Sequence, residues 1–217
     1  MRFLTIVIPI KATTGQIKQL LLYIGLVFCI TPVFAQGKRT AMSPEYKEFN
    51  KELADADLSF TIPAGFKEIK AVNNDDFAYD YAIQLPDADF EIWFQVKSLK
   101  DYKAGTKSKS DKDKPVNPDS LYMDLGQAQA TAFMGDKNYL IRNIPQNALV
   151  RYNADAGKTF LLNLPDSPVT KHYKYAMVVV LQKNHAGTLL ATCFANELGP
   201  GFFKNLNLAN SCIKFNP

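Results

Sequence analysis

Two period-2 runs joined by a short turn constrain this chain more than anything else in it: FAYDYAIQL, PDAD and FEIWFQV, at 77–96. Phe77, Tyr79, Tyr81, Ile83 and Leu85 alternate with Ala78, Asp80, Ala82 and Gln84. Phe90, Ile92, Phe94 and Val96 then repeat the pattern. Side chains along a strand point to opposite faces in turn, so the alternation predicts a β-hairpin with one buried face. Aromatics at this spacing belong to a core. Trp93 falls on the other face with Glu91, Gln95 and Lys97, where either a helix covers it or a groove exposes it.

A second strong run lies at 173–182, inside KHYKYAMVVVLQKNHAG. Tyr173, Tyr175, Met177, Val179 and Leu181 line one face, and Ala176, Val178 and Val180 the other. A strand apolar on both faces is a central strand covered on each side. The run answers a question of chemistry too, because the chain's two histidines, His172 and His185, flank it. Thirteen positions of extended chain put them roughly 40 Å apart, too far to share a metal or a proton. Each alone reads as a loop residue rather than a catalyst; in the hairpin His172 comes near Glu197 or Leu198, which leaves room for a His172–Glu197 contact.

The remaining elements follow from local signals. Ser43-Pro44-Glu45 starts a helix running to about Ala54, with Tyr46, Phe49 and Leu53 at helical spacing. LSFTIPAGFKEI is a strand ending in a turn at 63–65. PDSLYMDLGQAQATAFMG is a helix opened by Pro118-Asp119 and closed by Gly135. NYLIRNI, ALVRYN and TFLLNL are strand candidates, and TLLATCFAN pairs with the 173–182 run through a turn at 183–187. Gly199-Pro200-Gly201 opens a short helix, and SCIKF forms a terminal strand.

At the N-terminus, Arg2, Lys11 and Lys18 precede an apolar run at 20–34 that ends in Val33-Phe34-Ala35. This is the form of a secretory signal with cleavage between Ala35 and Gln36. A membrane anchor fits less well, since the run is shorter than the ~20 residues that span a bilayer and Pro32 interrupts it. The expectation is a signal peptide at 1–35 and one domain at 36–217, secreted or periplasmic, with no transmembrane segment once the signal is removed.

Charge then loses its apparent meaning. The chain carries 25 Lys and Arg against 21 Asp and Glu, and three of the basic residues belong to the signal, leaving 22 against 21. A near-neutral balance makes no case for nucleic acid. Two cysteines remain, Cys193 and Cys212, too few for a disulfide framework and short of a four-ligand zinc site. They form a disulfide or stay as two buried thiols; both readings stand. Gly157-Lys158-Thr159 has Tyr152 where a phosphate-binding loop needs glycine, and DKDKPVNPD lacks the glycine and glutamate of a calcium loop. No motif for a cofactor or a catalytic nucleophile is present, and nothing in the sequence pairs two carboxylates in one cleft.

The segment at about 100–118, KDYKAGTKSKSDKDKPVNP, has almost no apolar residue and reads as a long loop. Lys100, Lys103, Lys107, Lys109, Lys112 and Lys114 face only Asp101, Asp111 and Asp113. These lysines are the candidate contact for an acidic partner, a protein or glycan of the cell envelope. The alternative is a solvated connection.

The element order resembles the Mog1/PsbP-like α/β sandwich family. Phe60-Thr61-Ile62-Pro63-Ala64-Gly65-Phe66 carries the likeness early in the chain. At the end it rests on the closing series of strands at 173–182 and 189–196, a helix, and Ser211-Cys212-Ile213-Lys214-Phe215. YNADAGKTFLL followed by YKYAMVVVL also resembles uncharacterised secreted bacterial proteins. The resemblance implies an α+β fold, an antiparallel β-sheet covered by helices on both sides, and a non-catalytic binding or assembly role with no catalytic residues to transfer; no cofactor is expected. The leading expectation is therefore a non-catalytic binding or accessory protein. Its rival is an envelope hydrolase whose site is assembled from distant loop residues.

Overall fold

The computed structural model describes residues 42–70, 79–106 and 117–217, with the backbone alone at 103–106. The signal-peptide expectation at 1–35, the cleavage point at Ala35 and Gln36, and Lys107, Lys109, Lys112 and Lys114 lie outside the described residues.

The chain enters through helix α1 (Pro44–Asp55), where the Ser43 side chain accepts the N–H of Tyr46 as an N-cap. Its buried stripe is Phe49 and Leu53. Strands β1 (Leu58–Phe60), β2 (Lys67–Glu68), β3 (Tyr81–Leu85) and β4 (Phe90–Ser98) follow, then helix α2 (Leu99–Thr106). A 3-10 turn at Pro118–Ser120 leads into α3 (Tyr122–Met134), which Gly135 ends in the left-handed conformation at φ 74°. The second half holds β5 (Leu140–Asn143), the single-turn helix α4 (Gln146–Leu149), β6 (Ala156–Asn163), β7 (Tyr175–Lys183) and β8 (Gly187–Ala195). Helix α5 (Pro200–Ala209) and strand β9 (Ile213–Phe215) complete it.

Seven strands form one antiparallel sheet in the order β2-β3-β4-β8-β7-β6-β5, and β1 pairs with β9 in a separate two-stranded ribbon. Helices cover both faces. On one face Phe49, Leu53 and Phe202 from α1 and α5 pack with Tyr81, Ile92 and Phe94. On the other, Ala130 and Phe133 of α3 pack with Trp93, Phe160, Val178 and Phe194. The architecture is α+β, as expected. β7 is central and alternates as its sequence does: Met177, Val179 and Leu181 face the first layer, Ala176, Val178 and Val180 the second.

Four expectations are corrected. The β3–β4 hairpin is buried on both faces, because α3 covers Ala82 and Trp93. Tyr79 leaves the predicted face and stacks on Trp93 with ring centroids 4.6 Å apart. ALVRYN is α4 followed by a 3-10 turn at Val150–Tyr152, with Asn153 left-handed at φ 50°. The start of the lysine-rich segment is helix rather than loop. There Ser98 and Asp101 form a capping box, in which the Ser98 N–H donates to Asp101 Oδ2 at 2.7 Å and the Asp101 N–H donates to Ser98 Oγ at 3.3 Å.

Candidate functional site

On the first face, α1 and the β1–β9 ribbon cover the sheet near β3 and β4, and α5 reaches only part of the other half. A groove of about 330 Å³ opens there, between α5 and strands β5, β6 and β7. Its floor is set by strand register. Leu140 lies opposite Leu161, and Leu161 opposite Met177, making an apolar row across three strands. Its wall is Leu198, Phe202 and Phe203. Leu140 is 60% exposed and Phe203 55%, which is unusual for large apolar side chains facing each other across a concavity. The polar residues of the groove are Arg142 and Thr159, directly opposite each other on β5 and β6. No carboxylate lines it.

The structure also contains a carboxyl pair that the sequence did not disclose. Glu52 of α1 and Asp80, just before β3, share a hydrogen bond where the helix meets the sheet. Burial, then the charge of Asp80, pushes Glu52 up to about 7. Asp80 is raised as well, chiefly by burial, and its Oδ2 accepts the Val96 N–H at 2.6 Å. Paired carboxyls of this kind can pass a proton, but neither lines the groove or the two further cavities.

Glu91 is a different case: 4% exposed and fully engaged. The Lys171 ammonium donates to it at 2.8 and 2.9 Å, and the Trp93 indole N–H donates at 3.0 Å. Tyr173 is held to it as well, and burial followed by that negative charge raises the Tyr173 hydroxyl. With its oxygens so occupied, Glu91 pairs with a partly exposed lysine and orders the β4 face beneath α3. It has little capacity left for chemistry.

The histidines stay apart. His172, left-handed at φ 61°, places Nδ1 2.6 Å from Asp166 Oδ1, so its partner is Asp166 and not Glu197. His185, at φ 65°, lies in the β7–β8 turn with Nδ1 3.4 Å from Asp119 Oδ2. Both imidazoles are largely exposed. Among the described residues no group of three or more His, Cys, Asp or Glu side chains could hold a metal ion, and no helix is long and apolar enough to cross a membrane.

Lys100 forms an exposed ion pair with Asp55 across the α1–α2 surface, a partner its own segment did not suggest. Lys103 belongs to α2, and only its backbone is described. Cys193 and Cys212 are free, buried thiols lining one small cavity of about 40 Å³. Burial pushes Cys212 up to about 12 and raises Cys193 further, so neither is a nucleophile at neutral pH.

Sequence reasoning missed both the groove and the carboxyl pair. Their members come from segments 28 to more than 60 positions apart, and no local spacing joins them. No family model matches the chain, and neither a curated protein nor a solved structure shows significant similarity to it.

Proposed function

We propose that this protein is an exported, non-catalytic binding protein whose ligand site is the groove between α5 and strands β5, β6 and β7. The observation that carries the reading is the groove's lining: a concavity of small-molecule size, apolar on floor and wall, with two polar residues set together. A sheet face of this composition loses free energy by staying wet, and covering it with an apolar ligand recovers that loss. Export rests on the basic residues and apolar run before Ala35. The Mog1/PsbP-like reading is supported by an antiparallel sheet with helices on both faces.

The hydrolase reading is weaker. The Glu52 and Asp80 carboxyls touch each other, whereas a glycosidase holds its pair roughly 5–9.5 Å apart to admit substrate. They lie in the seam under α1 and not in a cleft. Titration with decanol, a neutral alkyl probe, followed by amide NMR tests the groove. Shifts clustered on Leu140, Leu161, Met177 and Phe203, and weakened by Phe203→Asp, are expected. Absence of any shift there would end the groove reading. Recovery of envelope-fraction protein with 1–35 still attached would end the export reading.

A further inference from the structure

Among the described residues Arg142 and Thr159 are the only polar side chains lining the otherwise apolar groove, and the strand register sets them face to face. Directly opposed residues of an antiparallel pair lie roughly 5 Å apart, so one small ligand group can touch both side chains. Among the described residues neither the Arg142 guanidinium nor the Thr159 hydroxyl has an ion-pair or hydrogen-bond partner in the protein. The nearest polar pair in register, Lys158 and Asn143, points to the opposite face, where Lys158 Nζ donates to Asn143 Oδ1 at 2.6 Å. Among the described residues it leaves Arg142 as the one cation lining the groove, with no acid beside it.

We propose that the groove binds a single-chain fatty carboxylate, with its carboxylate on Arg142 and Thr159 and its tail along the Leu140–Leu161–Met177 row. The proposal rests on the groove being the ligand site and adds the ligand's class and direction. A guanidinium presents two parallel N–H donors that match the two oxygens of a carboxylate, and the hydroxyl supplies a third donor. The apolar row begins two residues along from this pair and crosses three strands, roughly 10 Å at the usual strand spacing. Leu198 and Phe203 then close over it from the helix side. At about 330 Å³ the groove stands at the small end of ligand pockets, and its single apolar row suits one acyl chain.

Calorimetric titration of the protein with decanoate, decanol and decylamine tests this. Decanoate should bind about tenfold or more tighter than decanol, since a hydrogen bond to a charged group discriminates on that scale, and decylamine should bind worst. Arg142→Ala, at an exposed edge-strand position, should bring decanoate down to the decanol level and weaken decanol far less. Arg142→Lys should restore part of the difference, as a point charge without the fork. Equal affinity for decanoate and decanol, or a preference that survives Arg142→Ala, overturns the carboxylate assignment and leaves the groove reading intact. No binding of either probe overturns both. A groove occupied by a second copy of the chain also overturns the assignment; sedimentation would then give a dimer that decanoate does not dissociate. Should Arg142→Ala fail to fold, the order of the three probes on the unaltered protein decides.

Discussion

Glu52 on α1 hydrogen-bonds Asp80, just before β3, carboxyl to carboxyl, and among the described residues its Oε2 is buried with no partner of its own. Two ionised carboxylates could not rest there, so the pair holds a proton into the neutral range, on Glu52. Asp80, bonded to the Val96 N–H, takes the acceptor role. Glu48 adds to the upward push and Lys97 opposes it.

The pH dependence follows in sign. The folded state binds this proton more tightly than the unfolded chain, so the contribution is fully present below about 4.5 and is lost as pH rises through about 7. Glu52 is only partly buried, and solvent screening limits the loss to ~1 kcal/mol. Urea midpoints should fall between pH 5.5 and pH 8 in the unaltered protein and stay nearly level in Glu52→Gln. Parallel pH profiles for the two would contradict the shared proton.

Gly126 lets α3 settle directly on the sheet. A Cβ there would stand 2.4 Å from Phe160 Cε2 and 2.8 Å from Val180 Cγ2, both in the packed second layer. Alanine improves helix propensity by ~1 kcal/mol, but forcing the layers apart costs ~1–3 kcal/mol. Gly126→Ala should therefore destabilise by up to ~2 kcal/mol in chemical denaturation. An increase in stability would mean that the helix can lift away from the sheet freely.

Lys171 is left-handed at φ 53° and delivers its ammonium to buried Glu91. Removing the lysine leaves a carboxylate in the core, while removing the charge on Glu91 leaves a lysine that can turn to solvent. Breaking a buried pair costs ~3–5 kcal/mol, less here because the Lys171 side chain is 32% exposed. Lys171→Met should cost ~2 kcal/mol and Glu91→Gln less. A double mutant less stable than the sum of the two would refute the pairing.

The sequence disclosed what depends on near neighbours. The 173–182 run exposed β7 as central because both its faces are apolar within one segment. Ser43, Gly135 and Pro200 marked helix ends through backbone chemistry that acts within one turn. Tyr79 escaped because Asp80, beside it, bends out of the alternation to reach the Val96 N–H. A helical turn as short as α4 presents too few residues for its period to differ from a strand's. Ser98 and Asp101 did carry a capping signature, but the lysines around them made composition the louder signal. The groove was illegible for a physical reason: Arg142 meets Thr159 only through the β5–β6 register, and α5 closes over the row from far along the chain.

Cys193 of β8 and Cys212, just before β9, stand in one layer of the core. As thiols raised by burial they should resist alkylation at pH 8 in the folded protein. In urea without reductant both should label. A cross-linked pair of peptides under the same conditions would show that the two thiols are joined as a disulfide.

The start of the lysine-rich segment is tied to the sheet. Tyr102 of α2 hydrogen-bonds Thr188 at 2.9 Å, and the Thr188 hydroxyl donates on to Gln182 inside the β7–β8 hairpin. Beyond the segment, Asp119 accepts from Gln182 Nε2 at 3.3 Å and from the His185 N–H at 3.0 Å. Both ends of the segment thus converge on one hairpin. Replacing 101–117 with a short Gly-Ser link removes the Asp101 half of the capping box and the Tyr102 hydroxyl bond. Losing a cap costs ~1 kcal/mol and losing a partly buried hydrogen bond about as much, so the replacement should cost ~2 kcal/mol. Tyr102→Phe and Asp101→Ala should each reproduce about half of that in thermal or urea unfolding. A replacement with an unchanged midpoint would mean that α2 adds nothing to the hairpin it touches.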